Sequence, residues 1–107
     1  MALSEEFSER VLSLVELIPP GRVLSYGVIA HILREQGVDE GGPRQVGAVM
    51  AHDGGGVPWW RVVRANGSLP PSHIGRAQEH YRDEKTPMRA GGSAVDVRKA
   101  LWDGPFL

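Results

Sequence analysis

Two clusters of helix breakers cut the first fifty residues into three segments, and this punctuation constrains the fold more than any other feature of the chain. Pro19–Pro20–Gly21 closes the first segment, and "GVDEGG" at Gly37–Gly42 closes the second. Before the first break, Phe7, Val11, Leu14, Val15 and Ile18 recur three and four residues apart, which is one apolar face of a helix. Ser4 stands where an N-cap belongs, and acidic residues follow in the first turn, where a helix dipole favours them. After a short "RVL", Ser25 is placed for a second N-cap, and Val28, Ile29, Ile32 and Leu33 supply the apolar face. Pro43 suits the first position of a third helix, "PRQVGAVMA", with Val46, Val49 and Met50 inward and Arg44, Gln45 and Ala48 outward. Helix, glycine-containing turn, short helix with a polar start is the layout of a helix-turn-helix. An ordinary helical hairpin in a small α/β domain carries the same signature.

The remainder is less regular. "HDGGGVP" (His52–Pro58) reads as a flexible link, "WWRVV" as a strand, and "RANGSLP" as a tight turn with Asn66–Gly67 at its tip. Arg76–Lys85 reads as a late, mostly polar helix. "TPMRAGG" loosens the chain, and "AVDVRKALW" fits a last short helix with Val95, Leu101 and Trp102 against the body. The expected fold is therefore α/β: one small, mostly helical domain with a winged-helix-like helix-turn-helix and a short β-hairpin.

Composition removes several classes of function. Hydrophobic residues make up 41% of the chain, enough for a modest core. No apolar run approaches the roughly 20 residues that span a bilayer, so no membrane association is expected. The opening "MALSEEFSER" is acidic and lacks the basic-then-apolar layout of a signal peptide. Cysteine is absent, which eliminates disulfides, thiolate metal sites and thiol nucleophiles together and fits a reducing, cytoplasmic setting, nucleoid-associated in a bacterium. His31, His52, His73 and His80 are scattered without metal-ligand spacing, and Gly54–Gly56 lacks the Lys-Ser/Thr of a phosphate loop. No carboxylate pair or nucleophile elbow stands out, so neither a cofactor nor a metal is expected. Net charge is −1. The acid excess lies in the first helix, so any nucleic-acid contact must rest on a few well-placed groups and not on a broad basic field.

Three stretches carry a resemblance. "GRVLSYGVIA", "PRQVGAVMA" and "VPWWRVVRANG", in this order and spacing, resemble the DNA-binding domain of the O6-alkylguanine-DNA alkyltransferases over residues 5–85. The last 20 residues carry no such resemblance in the sequence, which leaves Trp102 and Phe106 unassigned. Active members of that family carry Pro-Cys-His-Arg, whose cysteine takes the alkyl group irreversibly and whose histidine helps form the thiolate. They usually carry an N-terminal domain that this sequence does not include. Here Trp59 stands at the cysteine position and Trp60 at the histidine position. The resemblance is thus to the alkyltransferase-like, non-catalytic branch, many of whose members keep the histidine.

The chemistry of the substitution agrees. Dealkylation needs a strong nucleophile such as a thiolate, and an indole offers none. An indole does offer a π surface. Stacking on a base contributes roughly 1–3 kcal/mol, while flipping a base out of the duplex costs a few kcal/mol, less for a damaged one. A stacking pocket at Trp59 can therefore trap a weakened base without reacting with it. Trp60 reads as core filling.

By position, the resemblance implies further roles. Tyr26 presses on the 3′ phosphate of the target nucleotide, and Arg44 enters the stack that the base has left. Gln45 shares the start of that helix, while Gly47, Ala48 and Ala51 keep its face low for a shallow minor-groove approach. The backbone carbonyl of Val62 reads the flipped base, and Ser72 lies near the pocket. The expected partner is double-stranded DNA containing O6-alkylguanine, bound by a monomer, and the resemblance implies nucleotide excision repair proteins downstream. Three rivals remain in view: an active alkyltransferase, which the absence of cysteine disfavours; a helix-turn-helix regulator of unmodified DNA; and an interaction module with no DNA role.

Overall fold

A computed structural model describes residues 4–105 of the protein; Phe106 lies outside them. α1 (Glu5–Leu17) starts on Ser4, whose Oγ accepts the Phe7 N–H at 3.1 Å. Ser4 also donates its N–H and Oγ to the Glu40 carboxylate, at 3.0 and 2.6 Å. That contact ties the start of α1 to the loop between the next two helices. α2 (Tyr26–Glu35) starts on Ser25, whose Oγ accepts the Val28 N–H at 3.2 Å. α3 (Pro43–Asp53) starts on Gly42, which has no side chain to cap with. Gln45 Oε1 instead accepts the Gly42 N–H at 2.8 Å, the reciprocal half of a capping box. Gly41 is required by closeness, since a Cβ there would lie 2.8 Å from the ring of Phe7.

The strand expected across "WWRVV" shrinks to β2 (Val62–Val63), and Trp59–Arg61 form a 3-10 turn. The expected hairpin is absent among the described residues. β2 runs parallel to β1 (Leu24–Ser25), with Leu24 opposite Val62 and Ser25 opposite Val63. Asn66–Gly67 does form a turn: Gly67 N–H donates to the Arg64 carbonyl at 2.8 Å, and Asn66 Oδ1 accepts the Ser68 N–H at 3.0 Å. No returning strand follows, because Pro70 and Pro71 have no N–H to offer a ladder. Pro71 opens a helix instead. α4 (Pro71–Glu84) begins five residues before the polar segment predicted from Arg76 and ends on Lys85 at φ 57°. The expected link at His52–Pro58 is likewise ordered, with His52 and Asp53 in α3 and Gly54–Gly56 in a 3-10 turn.

The C-terminal segment is an integral part of the domain. Val23 N–H donates to the Ala100 carbonyl at 3.0 Å and Trp102 N–H to the Val23 carbonyl at 2.9 Å, which extends the parallel pairing beside β1. The last helix is one turn, α5 (Val97–Ala100). Trp102 packs against the helical core, whereas Leu101, expected against the body, is 42% exposed and outside both hydrophobic clusters. Gly67 explains how this segment docks. It sits at φ +86°, its carbonyl accepts the Val95 N–H at 3.0 Å, and a Cβ there would collide with the Val95 carbonyl.

The short strands divide two hydrophobic cores. Successive strand residues point to opposite faces, so Leu24 and Val62 join Phe7, Val11, Ile29, Leu33 and Val46 in a core made by α1, α2 and α3. Val23 and Val63 point the other way, into a second cluster with Leu69, Ala77, Tyr81, Val95 and Ala100.

Candidate nucleic-acid interface

A cavity of about 310 Å³ opens where the two cores meet the surface. One wall is the helix-turn-helix: Tyr26 at the start of α2, and Gly47, Met50 and Ala51 along α3. Gly54 and Gly55 continue it, and Trp59 forms the opposite wall. Leu69 and Pro70 from the turn, with His73 and Arg76 from the first turns of α4, complete the rim. Gly47 leaves the helix backbone bare, and a Cβ there would stand 4.0 Å from the Tyr26 ring. Trp59 is half-buried, with the Arg76 guanidinium 5.3 Å from its ring centre and the His73 ring edge-on at 5.6 Å. Burial raises the pKa of Tyr26, and the positive charge of Arg64 offsets part of that rise. The phenol stays neutral and able to donate a hydrogen bond.

Behind Trp59 lies a polar buttress. Trp60 stands edge-on to Trp59 with ring centres 5.6 Å apart, and it stacks flat on His80 at 3.5 Å and 5°. Its Nε1 donates to Glu84 Oε2 at 2.9 Å. Arg61 grips the same carboxylate with Nε, at 3.1 Å from Oε1, and with Nη2. Its Nη1 donates to the Ile18 carbonyl at 2.9 Å, and the Gly21 N–H also reaches Glu84, at 3.1 Å. Burial alone would raise the Glu84 carboxyl. The hydrogen bonds from Arg61, Gly21 and Trp60, with the charge of Arg61, outweigh burial and hold it below the ordinary carboxylate range. Tyr81 Oη donates to the Trp60 carbonyl at 2.6 Å, and its pKa is pushed up, first by burial and then by Glu84 and Tyr26. Trp60 therefore does pack against the second core, as core filling implies, but its polar edge is bonded and its ring props Trp59.

Of the residues singled out in the sequence for the site, Tyr26, Gly47, Ala51 and Trp59 meet at the cavity. Arg44 is exposed in the first turn of α3, and Ala48 is half-buried on the same helix. Gln45 points its amide oxygen back to Gly42, so helix capping already occupies that group. Val62 is 1% exposed because strand alternation sends its side chain into the helical core, and the contact implied for it is through its main-chain carbonyl. One pocket assignment needs correction. Ser72 is not in a loop; it is exposed in the first turn of α4, its Oγ 2.9 Å from His73 Nδ1, and its neighbour His73 reaches the cavity. Sequence reasoning missed His73 and Arg76 for one reason. Pro71 is a good first helical residue, and starting the helix there puts 73, 76, 77, 80 and 84 on one stripe at spacings of three and four.

Fold and site together define a small helix-turn-helix domain in which α3 and Trp59 line one open cavity. Comparison with known proteins makes this specific. Residues 6–86 match the family described as the DNA-binding domain of 6-O-methylguanine DNA methyltransferase, and the chain belongs to that family. It is 31% identical to a DNA base-flipping protein of Escherichia coli, across 96% of this chain and 79% of that one. It is 35% identical to alkyltransferase-like protein 1 of Schizosaccharomyces pombe, across 74% of this chain and 71% of that one. The fold matches a crystal structure of S. pombe Atl1 in complex with damaged DNA containing O6-carboxymethylguanine. There the TM-score is 0.74 and the identity 26%, over 96% of this chain and all of that one.

Proposed function

We propose that this protein binds O6-alkylguanine in duplex DNA as a monomer, turns the damaged base into the cavity beside Trp59, and holds it unreacted as a mark for nucleotide excision repair. One observation carries the reading: Trp59 is not walled into the core but faces a cavity of about 310 Å³ that opens beside α3. That volume is at the lower end for small-molecule sites, the size class of a single heterocycle. In this reading Trp59 offers its ring for stacking, Tyr26 of the cavity lining presses on the backbone, and Arg44, exposed at the start of α3, enters the vacated stack. Without cysteine, the chain has no thiolate to accept an alkyl group, so capture does not lead to repair. The S. pombe relative is bound to damaged DNA of this kind, and the E. coli relative is a base-flipping protein. A regulator of unmodified DNA needs polar side chains at base edges. With Gln45 committed to Gly42, the start of α3 presents little besides Arg44.

The deciding experiment titrates paired oligonucleotide duplexes, one carrying a single O6-methylguanine, while following tryptophan fluorescence. The lesion duplex is expected to bind more tightly and to shift the emission. Trp59→Ala should lose roughly 1–3 kcal/mol of that affinity. Equal affinity for both duplexes would overturn the reading, and transfer of a labelled methyl group to the protein would overturn the claim that it does not react.

A further inference from the structure

The turn after β2 borders two recesses. Leu69 and Pro70 line the lesion cavity, while Ala65 and Asn66 line a second recess on the other side of the turn. The second recess, of about 510 Å³, is completed by the C-terminal segment through Arg89, Ala90, Val95, Asp96, Val97 and Arg98. Arg89 and Arg98 are exposed, and so are Ala65, Asn66 and Ala90, so the recess is a surface groove and not an enclosed ligand site. Its balance is positive: residues 85–99 hold Lys85, Arg89, Arg98 and Lys99 against the single acid Asp96. The segment is rigidly placed. Arg89 N–H donates to the Ala94 carbonyl at 2.8 Å, Gln78 Nε2 donates to the Gly92 carbonyl at 2.6 Å, and Val95 N–H is bonded to Gly67. Arg64, at the head of the same turn, is exposed and close enough to Tyr26 for its charge to act on the phenol.

We infer that the C-terminal segment carries a second DNA contact, in which Arg89 and Arg98 bind the phosphodiester backbone beside the nucleotide held in the lesion cavity. This rests on the lesion-binding reading and extends it. The three residue steps from Asn66 to Leu69 span at most about 10 Å. Successive phosphates of one strand advance about 3.4 Å along the duplex axis, so the recess lies within a few nucleotides of the flipped position. A guanidinium matches a phosphate with paired donors. Asp96 is the opposing group and weakens the contact. A chain with net charge −1 thereby sets two exposed arginines, Arg89 and Arg98, on one recess beside the turn that borders the cavity.

The test measures lesion-duplex affinity across a salt series for the wild type and for Arg89→Ala/Arg98→Ala. Removing one arginine–phosphate pair makes the slope of log affinity against log salt shallower by about 0.9, so the double variant should be shallower by about 1.8. The ratio of lesion to undamaged affinity should stay unchanged, because phosphate contacts carry no base information. Arg89→Lys/Arg98→Lys should restore most of the slope, and Asp96→Asn should tighten binding to both duplexes. An unaltered slope in the double variant, with wild-type lesion binding intact, would overturn this contact alone. Failure of the wild type to prefer the lesion duplex would overturn the proposed function beneath it.

Discussion

The three-helix half and the half built from α4, the Trp59–Arg61 turn and the C-terminal segment both bury aliphatic side chains, yet different forces fix them in place. In the first, Phe7, Val11, Val15, Ile29 and Val46 are fully buried, and the polar contacts lie outside that core, at the caps and on exposed helix faces, as with Arg10–Gln36 and His31–Glu35. In the second, a single carboxylate, Glu84, gathers Trp60, Arg61 and the Gly21 main chain, and the Gly67–Val95 backbone contact locks the tail. The buttress belongs to the side that positions Trp59. The lesson is one of tolerance. An apolar core accepts any well-packed set of side chains of suitable volume, whereas a charged cluster demands partners at set distances and so holds one tryptophan orientation.

Substitutions can break this contrast. The largest effect is expected for Phe7→Ala, which empties the helical core and should cost about 3–5 kcal/mol, lowering the melting temperature by about 15 °C or more. A smaller drop than that of Glu84→Gln would mean that the polar half dominates stability. Glu84→Gln should cost about 3 kcal/mol by leaving Arg61 without its partner, and thermal melts across pH sharpen the point. The folded pKa of Glu84 is lowered, so its contribution is full above the unfolded glutamate value near about 4.3 and fades as pH falls through the lower folded value. The gap between wild type and variant should therefore narrow in acid; a gap that stays constant to low pH would show that Glu84 acts through shape and not charge. Gly67→Ala comes next, at about 2 kcal/mol for a strained left-handed residue aimed at the Val95 carbonyl. Limited proteolysis should then cut first within residues 86–100, and cleavage in α1 instead would contradict the docking role. The smallest effect on stability belongs to Arg44→Ala, within about 0.5 kcal/mol for an exposed site, while lesion affinity falls measurably. A large loss of stability would make Arg44 structural.

Much of the first half is legible in the sequence alone. Ser4 and Ser25 cap the helices that follow them, and the apolar periodicities of α1, α2 and α3 turn inward, with Leu14, Leu33 and Val49 buried. The second half is not legible in this way. "WWRVV" followed by Asn-Gly reads locally as a hairpin arm, because β-branched residues before a turn are the ordinary hairpin signal. The partner of β2 is Leu24–Ser25, nearly forty residues earlier, and no local pattern announces it. Ser72 reads as a loop residue only while α4 is taken to start at Arg76, and that late start also hides His73. The role of Trp60 is invisible in the sequence because it depends on His80 and Glu84, 20 and 24 residues away.

The sequence by itself determined the family, the three amphipathic helices, the absence of any thiol and the presence of two adjacent indoles, Trp59 and Trp60, before β2. Those properties are local or compositional, fixed by residue identity and by spacings of three and four. Only the tertiary structure decided that Trp59 borders a cavity, that Glu84 holds the buttress behind it, and that the last residues pair beside β1. Each of these depends on side chains and strands that meet only once the chain has closed long loops, and such contacts leave no periodic trace in the order of the residues.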